Sequence, residues 1–391
     1  MKTVFNALCA IVALCSTIAV PASAGVVVYE KDEKKIEIGG RIQLQYRDLS
    51  PDGGSDVDTF FFRRLRPYIL GSVTEDWLGK IQFDLGKAGD ADELSVKDVY
   101  MQYVGWKNHK ITIGNSKTPF SREFLASSKR QQLIERSFAG DHNFGSPTHQ
   151  LGVRLDGHRV DRKLTYAAAF GGEEHDPAIN ALDFDTPANT RSDWNQGIVV
   201  AARIDYHPLG FVKFDQTDFR SEEFKFNVSV AAFNWSNDDD NNTYTDSVTG
   251  MVNAEGIADG KVDVDSVDGV EFSAGVRGKG LSADVEYQMI SGDTVDTTFT
   301  GGLYLNGTTD LDVMAVEAGY MFHKKLELVA GWDSLDADNF ATSTDRTSVG
   351  LNWYLNKHKT KFQATFRSWS NVGGVSGVDR DELFVQAQFV F

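Results

Sequence analysis

Arg63, Arg64 and Arg66 crowd into the segment from Phe60 to Gly71 of an otherwise acidic chain. Guanidinium groups are planar forks of N–H donors that match phosphate-like oxyanions, so this cluster suits anion recognition rather than bond-making chemistry. Leu65, Pro67 and Ile69 interleave with it. On a strand they would share one apolar face, turning Arg64 and Arg66 to the other face and leaving Arg63 near an interface or at an irregularity. A second cationic stretch follows. From Lys117 to Pro147 the chain carries Lys117, Arg122, Lys129, Arg130 and Arg136 against Glu123, Glu135 and Asp141. That connection is far longer than a usual hairpin loop. Folded into a pore, it would be a constriction that concentrates anions between low-dielectric walls. Left outside, it would be an exposed loop with scattered charge.

Other chemistry lacks its residues. There is no phosphate-binding glycine loop, and no histidine pair has helical metal spacing. Asp141, His142 and His149 lie near Ser127, Ser128 and Ser137, but a triad is defined by geometry, and loop serines are common. The run from Asp263 through Asp265 to Asp268 lacks the spacing and closing glutamate of a calcium loop. No catalytic group, metal or cofactor is therefore expected. A net charge of −17 argues against a nucleic-acid partner.

The elements that must position these cations begin with a leader. Lys2 precedes an apolar stretch from Val4 to Val20, and Pro21-Ala22-Ser23-Ala24 offers small residues for cleavage after Ala24. Residues 1–24 read as a signal peptide and 25–391 as one β-architecture. Cys9 and Cys15 both fall in the leader, so the mature chain would have neither disulfides nor a thiol nucleophile.

Beyond the leader the hydropathy period is two. Ile42, Leu44 and Tyr46 alternate with Arg41, Gln43 and Gln45; Leu281, Ala283 and Val285 alternate with Ser282, Asp284 and Glu286; Phe362, Ala364 and Phe366 alternate with Gln363, Thr365 and Arg367. A soluble sandwich alternates this way, and so does a transmembrane barrel with lipid outside and water within. Sixteen such strands can be counted, starting near 36, 59, 77, 94, 109, 149, 163, 196, 224, 269, 281, 311, 326, 346, 361 and 381. Each is about 10 residues long, enough to cross a bilayer at a tilt.

Connections alternate as well. Gly105 to Lys110, Gly157 to Lys163, Arg277 to Gly280, Phe322 to Lys325 and Asn356 to Lys361 are short and basic. The intervening ones are long and acidic, with Asp52, Asp56 and Asp58 in the first and Asp238, Asp239, Asp240, Asp246, Asp259, Asp263 and Asp265 in the fifth. Short turns on one side and long loops on the other are a barrel asymmetry. Trp77, Trp106, Trp194, Trp235, Trp332, Trp353 and Trp369 fall near strand ends, as interfacial girdles require. The last strand sets Leu383, Val385, Ala387, Phe389 and Phe391 on one apolar face and ends in phenylalanine, like the terminal signal read by barrel-assembly machinery.

The segment Phe60–Gly71 resembles the second strand of the phosphate-selective porin O and P family. Ile38 to Leu44, Gly79 to Asp84, Lys97 to Tyr103 and Ile113 to Glu123 agree with it, so the resemblance is specific over about 36–157. It implies a sixteen-stranded outer-membrane barrel, a trimer, and a third loop folded inward over 117–147 to narrow the pore. It also places Arg64, with Arg63 beside it, in the constriction, and makes Asp98 a lumen acid that accepts from such cations. One departure stands out. Phosphate-specific members carry an arginine at every second position leading into the pore. Here Ile198 to Phe226 holds only Arg203 and Arg220, with Asp205, Asp215 and Asp218 beside them.

The expected protein is thus an all-β outer-membrane channel for passive diffusion of small hydrophilic solutes with anion or phosphate preference. Its partners would be small anions, membrane lipid, lipopolysaccharide and two further copies of the chain. The rival readings are a weakly selective general porin, a barrel enzyme or adhesin-like barrel, and a soluble secreted β-protein.

Overall fold

The computed structural model describes residues 25–86, 94–176, 178–188, 195–237, 243–245, 252–254 and 262–391. The alternating segments form sixteen strands of one barrel. They are β1 Lys34–Pro51, β2 Val57–Ser72, β3 Trp77–Asp84, β4 Ser95–Tyr103, β5 His109–Lys117, β6 His149–Arg159, β7 Leu164–Asp176 and β8 Gln196–Tyr206, then β9 Lys225–Asn237, β10 Val264–Gly278, β11 Leu281–Thr294, β12 Thr308–His323, β13 Leu326–Ala337, β14 Thr344–Asn356, β15 Thr360–Ser370 and β16 Arg380–Val390. Neighbours are antiparallel throughout. β16 pairs with β1 from Val390–Arg41 to Arg380–Pro51, so the sheet closes and leaves no long open edge. At the seam Gly40 N donates to Phe391 O (2.9 Å) and Phe391 N donates to Gly40 O (3.0 Å). Every strand begins within a few residues of its expected start. Lengths are less uniform than expected, from 8 residues in β3 to 18 in β1.

Closure fixes the meaning of the period-two pattern. In β9, Val228 and Val230 are exposed on the outside while Asn227 and Ser229 are buried within. In β16 the outer face is the expected one, Leu383 to Phe391, and Gln386 and Gln388 point inward. A short strand, Val26–Lys31, folds back along the first residues of β1.

Two features depart from the simple pattern. Along the outer halves of β8 to β13 the inward residues are apolar too: Val199, Phe233, Trp235, Val267, Ile290 and Leu311 pack with Leu182 and Phe184 of the fourth loop and Leu303 and Tyr304 of the sixth. Half of the lumen mouth is therefore a packed core. Burying each large side chain there contributes ~1.5–3 kcal/mol. This corrects the girdle reading of Trp235, which is fully buried inside and donates from Nε1 to Glu173 O (2.8 Å). Trp369 likewise stacks inside, against Phe138 and Arg380. Trp77, Trp106 and Trp332 are exposed on the outside, and Trp194 lies outside the described residues.

The second departure is a connection. At the barrel end that carries both termini, six turns are short, but the link from β8 to β9, residues 207–224, is long and enters the lumen. Loop length does not alternate there as expected, and the acidic residues 238–240, 246 and 259 of the fifth loop lie outside the described residues.

Candidate permeation site

The β1–β5 wall turns cations inward by means of two bulges. Between β1 and β2 the register passes from Gln43–Arg64 to Leu44–Phe62, so Arg63 is an extra residue in β2. Such an insertion reverses the side-chain parity. Phe60 and Phe62 above the bulge and Ile69 below it are all exposed outside, while Arg63 and Arg64 both point in. The irregularity expected at Arg63 is this bulge. Arg64 is buried and donates from Nη1 to Gln43 Oε1 (3.2 Å). Arg63 donates to both carboxylate oxygens of Glu135 (2.7 and 3.1 Å), and Arg66 Nε donates to Asp84 Oδ2 (2.5 Å). In β4 the register shifts between Val99–Ile81 and Val96–Phe83, and there stand Lys97 and Asp98. Lys97 lies beside Arg66 and Asp84. Asp98 accepts from Lys80 Nζ (2.5 Å) and lies 3.4 Å from His149 Nε2, so its partners are a lysine and a histidine rather than the arginine cluster.

The third loop, residues 118–148, faces this wall from inside. Its helical turn Arg122–Leu125 is capped by Ser121, whose Oγ accepts from Phe124 N (3.0 Å). Across the lumen the turn is fastened to β11: Arg122 Nε donates to Asp284 Oδ1 (2.7 Å) and Glu123 N to Glu286 Oε2 (2.9 Å). Farther along, Gln132 and Leu133 rest on inward glycines of three adjacent strands. A Cβ on Gly319 would stand 2.1 Å from Gln132 Nε2; on Gly331 and Gly350 it would stand 2.9 and 3.2 Å from the Leu133 methyls. Only residues without side chains allow so close an approach. The loop is tied beyond this seat by Phe138 N to Asp333 (3.1 Å) and by Arg346 and Arg367 to the Arg136 carbonyl.

Cations gather along the seam, or groove, where the loop meets the wall. Lys117 Nζ and Arg136 Nη2 converge on the Ala126 carbonyl at 3.3 and 3.2 Å, and Arg41 Nη1 reaches Ser127 Oγ at 3.5 Å. Lys129 lies near Arg41 and Lys80. Around this groove Arg41, Arg63, Arg64, Arg66, Lys80, Lys97, Lys117, Lys129 and Arg136 outnumber Asp84, Asp98, Glu123, Glu135, Asp141 and Asp185. The Nε atoms of Arg41, Arg64 and Arg136 are buried without a partner. Burial would raise the Glu135 carboxyl, but Arg63 and Arg64 outweigh it and hold it at about 2. Burial, with Arg130 and Arg41 adding, lowers the Lys129 ammonium to about 8.

The structure thus brings together most of the expected set, Arg63, Arg64, Arg66, Asp98, Lys117, Lys129 and Arg136. Arg122 faces away from the groove into its pair with Asp284, and Arg130 bonds Asp215 Oδ1 (2.5 Å) on the terminal side. Arg41, Lys80 and Lys97 were not anticipated. Arg41 sits on the polar face of a recognisable alternating strand, whereas Lys97 turns in only because of a bulge.

The comparisons agree with the fold. Porin O of Pseudomonas aeruginosa is 26% identical over 157 residues, which span 39% of this chain and 36% of that protein. The anion-selective porin of Comamonas acidovorans shares the fold at a TM-score of 0.59 and 9% identity, covering 92% of this chain and all of that one. The trimer form of OmpT from Vibrio cholerae does so at 0.58 and 13%, covering 92% and 100%. A closed sixteen-stranded barrel accounts for the likeness in shape. Because residues 36–391 match the phosphate-selective porin O and P family, nearly the whole barrel, this chain belongs to that family and is a porin of the outer membrane.

Proposed function

We propose that this porin is a passive channel for small hydrophilic solutes that favours anions, with phosphate-class oxyanions among them. The observation that carries the reading is the groove between the third loop and β1–β5, where cations outnumber carboxylates. Solutes enter past acidic outer loops, cross between Arg41, Arg63, Arg64, Arg66, Lys117 and Arg136, and leave to the periplasm. The preference is mild. Arg63, Arg66 and Lys80 each already hold a carboxylate, and Arg203, the one inward arginine of β8, is bound to Asp205 and Glu271 rather than presented to the lumen. A weakly selective general porin is the second reading, favoured by those same pairs.

Catalysis finds no support in the histidines. His142 and His149 pair with Asp183 and Asp98, while Ser127 and Ser137 bond Arg41 and Glu123. Passive diffusion calls for neither cofactor nor metal. The trimer form of the Vibrio OmpT favours a homotrimer here, with lipid against the apolar belt and lipopolysaccharide around the outer loops. Export would follow cleavage after Ala24.

Purified protein in a planar bilayer tests the reading. Stepwise sustained conductance, with a reversal potential in a salt gradient that reports anion preference, is expected. Absence of conductance would refute the channel, and a cation-selective potential would refute the groove as its path.

A further inference from the structure

At its short helical turn, Ser128–Arg130, the third loop meets the turn between β14 and β15 on the terminal side of the barrel. Gln388 of β16 joins the two. Its Nε2 donates to Lys129 O (3.0 Å) and also to His358 O. Lys361 Nζ of β15 donates to Gln131 O (2.7 Å), so loop and turn are held side by side. Phe219, from the link between β8 and β9, packs edge-on to the His358 ring (5.1 Å), and Tyr354 of β14 does the same (5.5 Å). Two side chains in this junction are buried with nothing to bond. Neither ring nitrogen of His358 has a partner, and neither does the amide nitrogen or oxygen of Gln131. Leaving such groups unpaired in a protein interior is costly, which calls for a bound molecule that pairs with them.

Charge decides which kind of molecule. Lys129, Arg130, Lys357 and Lys361 surround the imidazole. The carboxylates bonded into the junction are, among the described residues, Asp215, which accepts from Arg130 Nη1 (2.5 Å), and Glu327, which accepts from Tyr354 Oη (2.5 Å). Four cations against two carboxylates leave an excess of two positive charges. Water could bond the imidazole but would bring no charge. A divalent oxyanion does both, accepting from ring and amide N–H groups and neutralising the excess. Burial, and then the surrounding cations, hold the His358 imidazole well below its ordinary value, so the empty ring is neutral and offers one N–H. An anion beside it would favour the second proton and so a second donor. The junction reaches solvent at Lys357, which is exposed and whose ammonium lies over the Phe219 ring (5.6 Å).

We propose that the junction of the third loop with the β14–β15 turn is a binding site for a small divalent oxyanion of the sulfate or phosphate class, held by His358, Gln131 and the surrounding cations, which fastens the terminal-side end of the loop to the wall. Of these cations only Lys129 also borders the groove. The site does not depend on the channel reading, since an anion fixed at this junction is held whether or not ions pass beside it.

Inorganic sulfate is the probe, because it stays divalent across the working pH range. Equilibrium dialysis of labelled sulfate against the full chain in detergent is expected to find a site that Arg64→Gln leaves intact. His358→Leu and Lys357→Gln should each weaken it by about tenfold or more, as the loss of one charge-assisted hydrogen bond does. Lys357 is exposed, so its variant should fold like the parent and keep the test decisive even if the His358 variant fails to fold. A parent that binds no sulfate overturns the proposal, and so does binding that Lys357→Gln and a folded His358→Leu both leave unchanged. Should Arg64→Gln abolish that unchanged binding, the sulfate sits in the groove, which sinks this site and leaves the channel reading standing. A parent without conductance that still binds sulfate at His358 would remove the channel reading and leave this site in place.

Discussion

Glu135→Gln is the perturbation that reads the groove most directly. Glu135 is the third loop's carboxylate toward the wall, bonded to Arg63 at 2.7 Å and lying 3.9 Å from Arg64. Its carboxyl is held at about 2 because the two arginines outweigh burial, so it is ionised at any working pH. Replacing it removes one negative charge and releases Arg63 toward the solute path. For a monovalent ion passing about 6 Å away, one charge in water is worth ~0.7 kcal/mol. Screening at 0.1 M salt, with a Debye length of ~10 Å, reduces this to ~0.4 kcal/mol. That is about twofold more anion and twofold less cation in the groove, hence a rise of roughly fourfold in the anion-to-cation permeability ratio. Glutamine can still accept one bond from Arg63, and the loop keeps its ties through Gln132 and Phe138, so the constriction should stay in place. Reversal potentials of parent and variant, taken in the same chloride gradient, give the ratio. A ratio that stays put or moves toward cations, in a variant with parent conductance, would refute the groove as the path.

Arg203→Met should destabilise the barrel by ~3–5 kcal/mol, because it strips the buried counter-charge from Asp205 (2.9 Å) and Glu271 (2.6 Å). It also removes a donor to the Phe120 carbonyl, which roots the third loop. The denaturant midpoint in detergent measures the loss, and a change below ~1 kcal/mol would contradict the pairing. Lys129 is lowered by burial, then Arg130 and Arg41, to about 8, so it is charged below that pH and neutral above. Anion preference should accordingly weaken between pH 7 and 9, and Lys129→Gln should flatten that part of the profile; a profile equally steep in the variant would exclude Lys129. Gly319→Val would drive a methyl into Gln132 and unseat the loop, at a cost of ~1–3 kcal/mol and with noisier, altered conductance. A quiet parent-like trace would show that the glycine seat is dispensable.

The architecture was legible because a barrel is written locally. Alternation along β1, β11 or β15 needs only neighbouring residues, and turn signals between them set the count. The cationic loop was legible by its length and charge. Its direction was not, and the resemblance over 36–157 supplied that. Positions controlled by register were harder. Arg63 faces inward through a bulge, Trp235 through a parity that the sequence leaves open on an apolar strand, and Asp98 finds Lys80 on the adjacent strand instead of an arginine.

The two cationic groups from which the reading began, around Arg64 and between Lys117 and Arg136, could be identified from residue type and spacing, because charge and periodicity are properties of the chain itself. Which of those cations share one groove was decided by closure of the sheet, two bulges and the glycine seat. These set distances between residues remote in sequence. They gave Arg136 to the groove, Arg122 to a buried pair on the opposite wall, and residues 207–224 to the lumen.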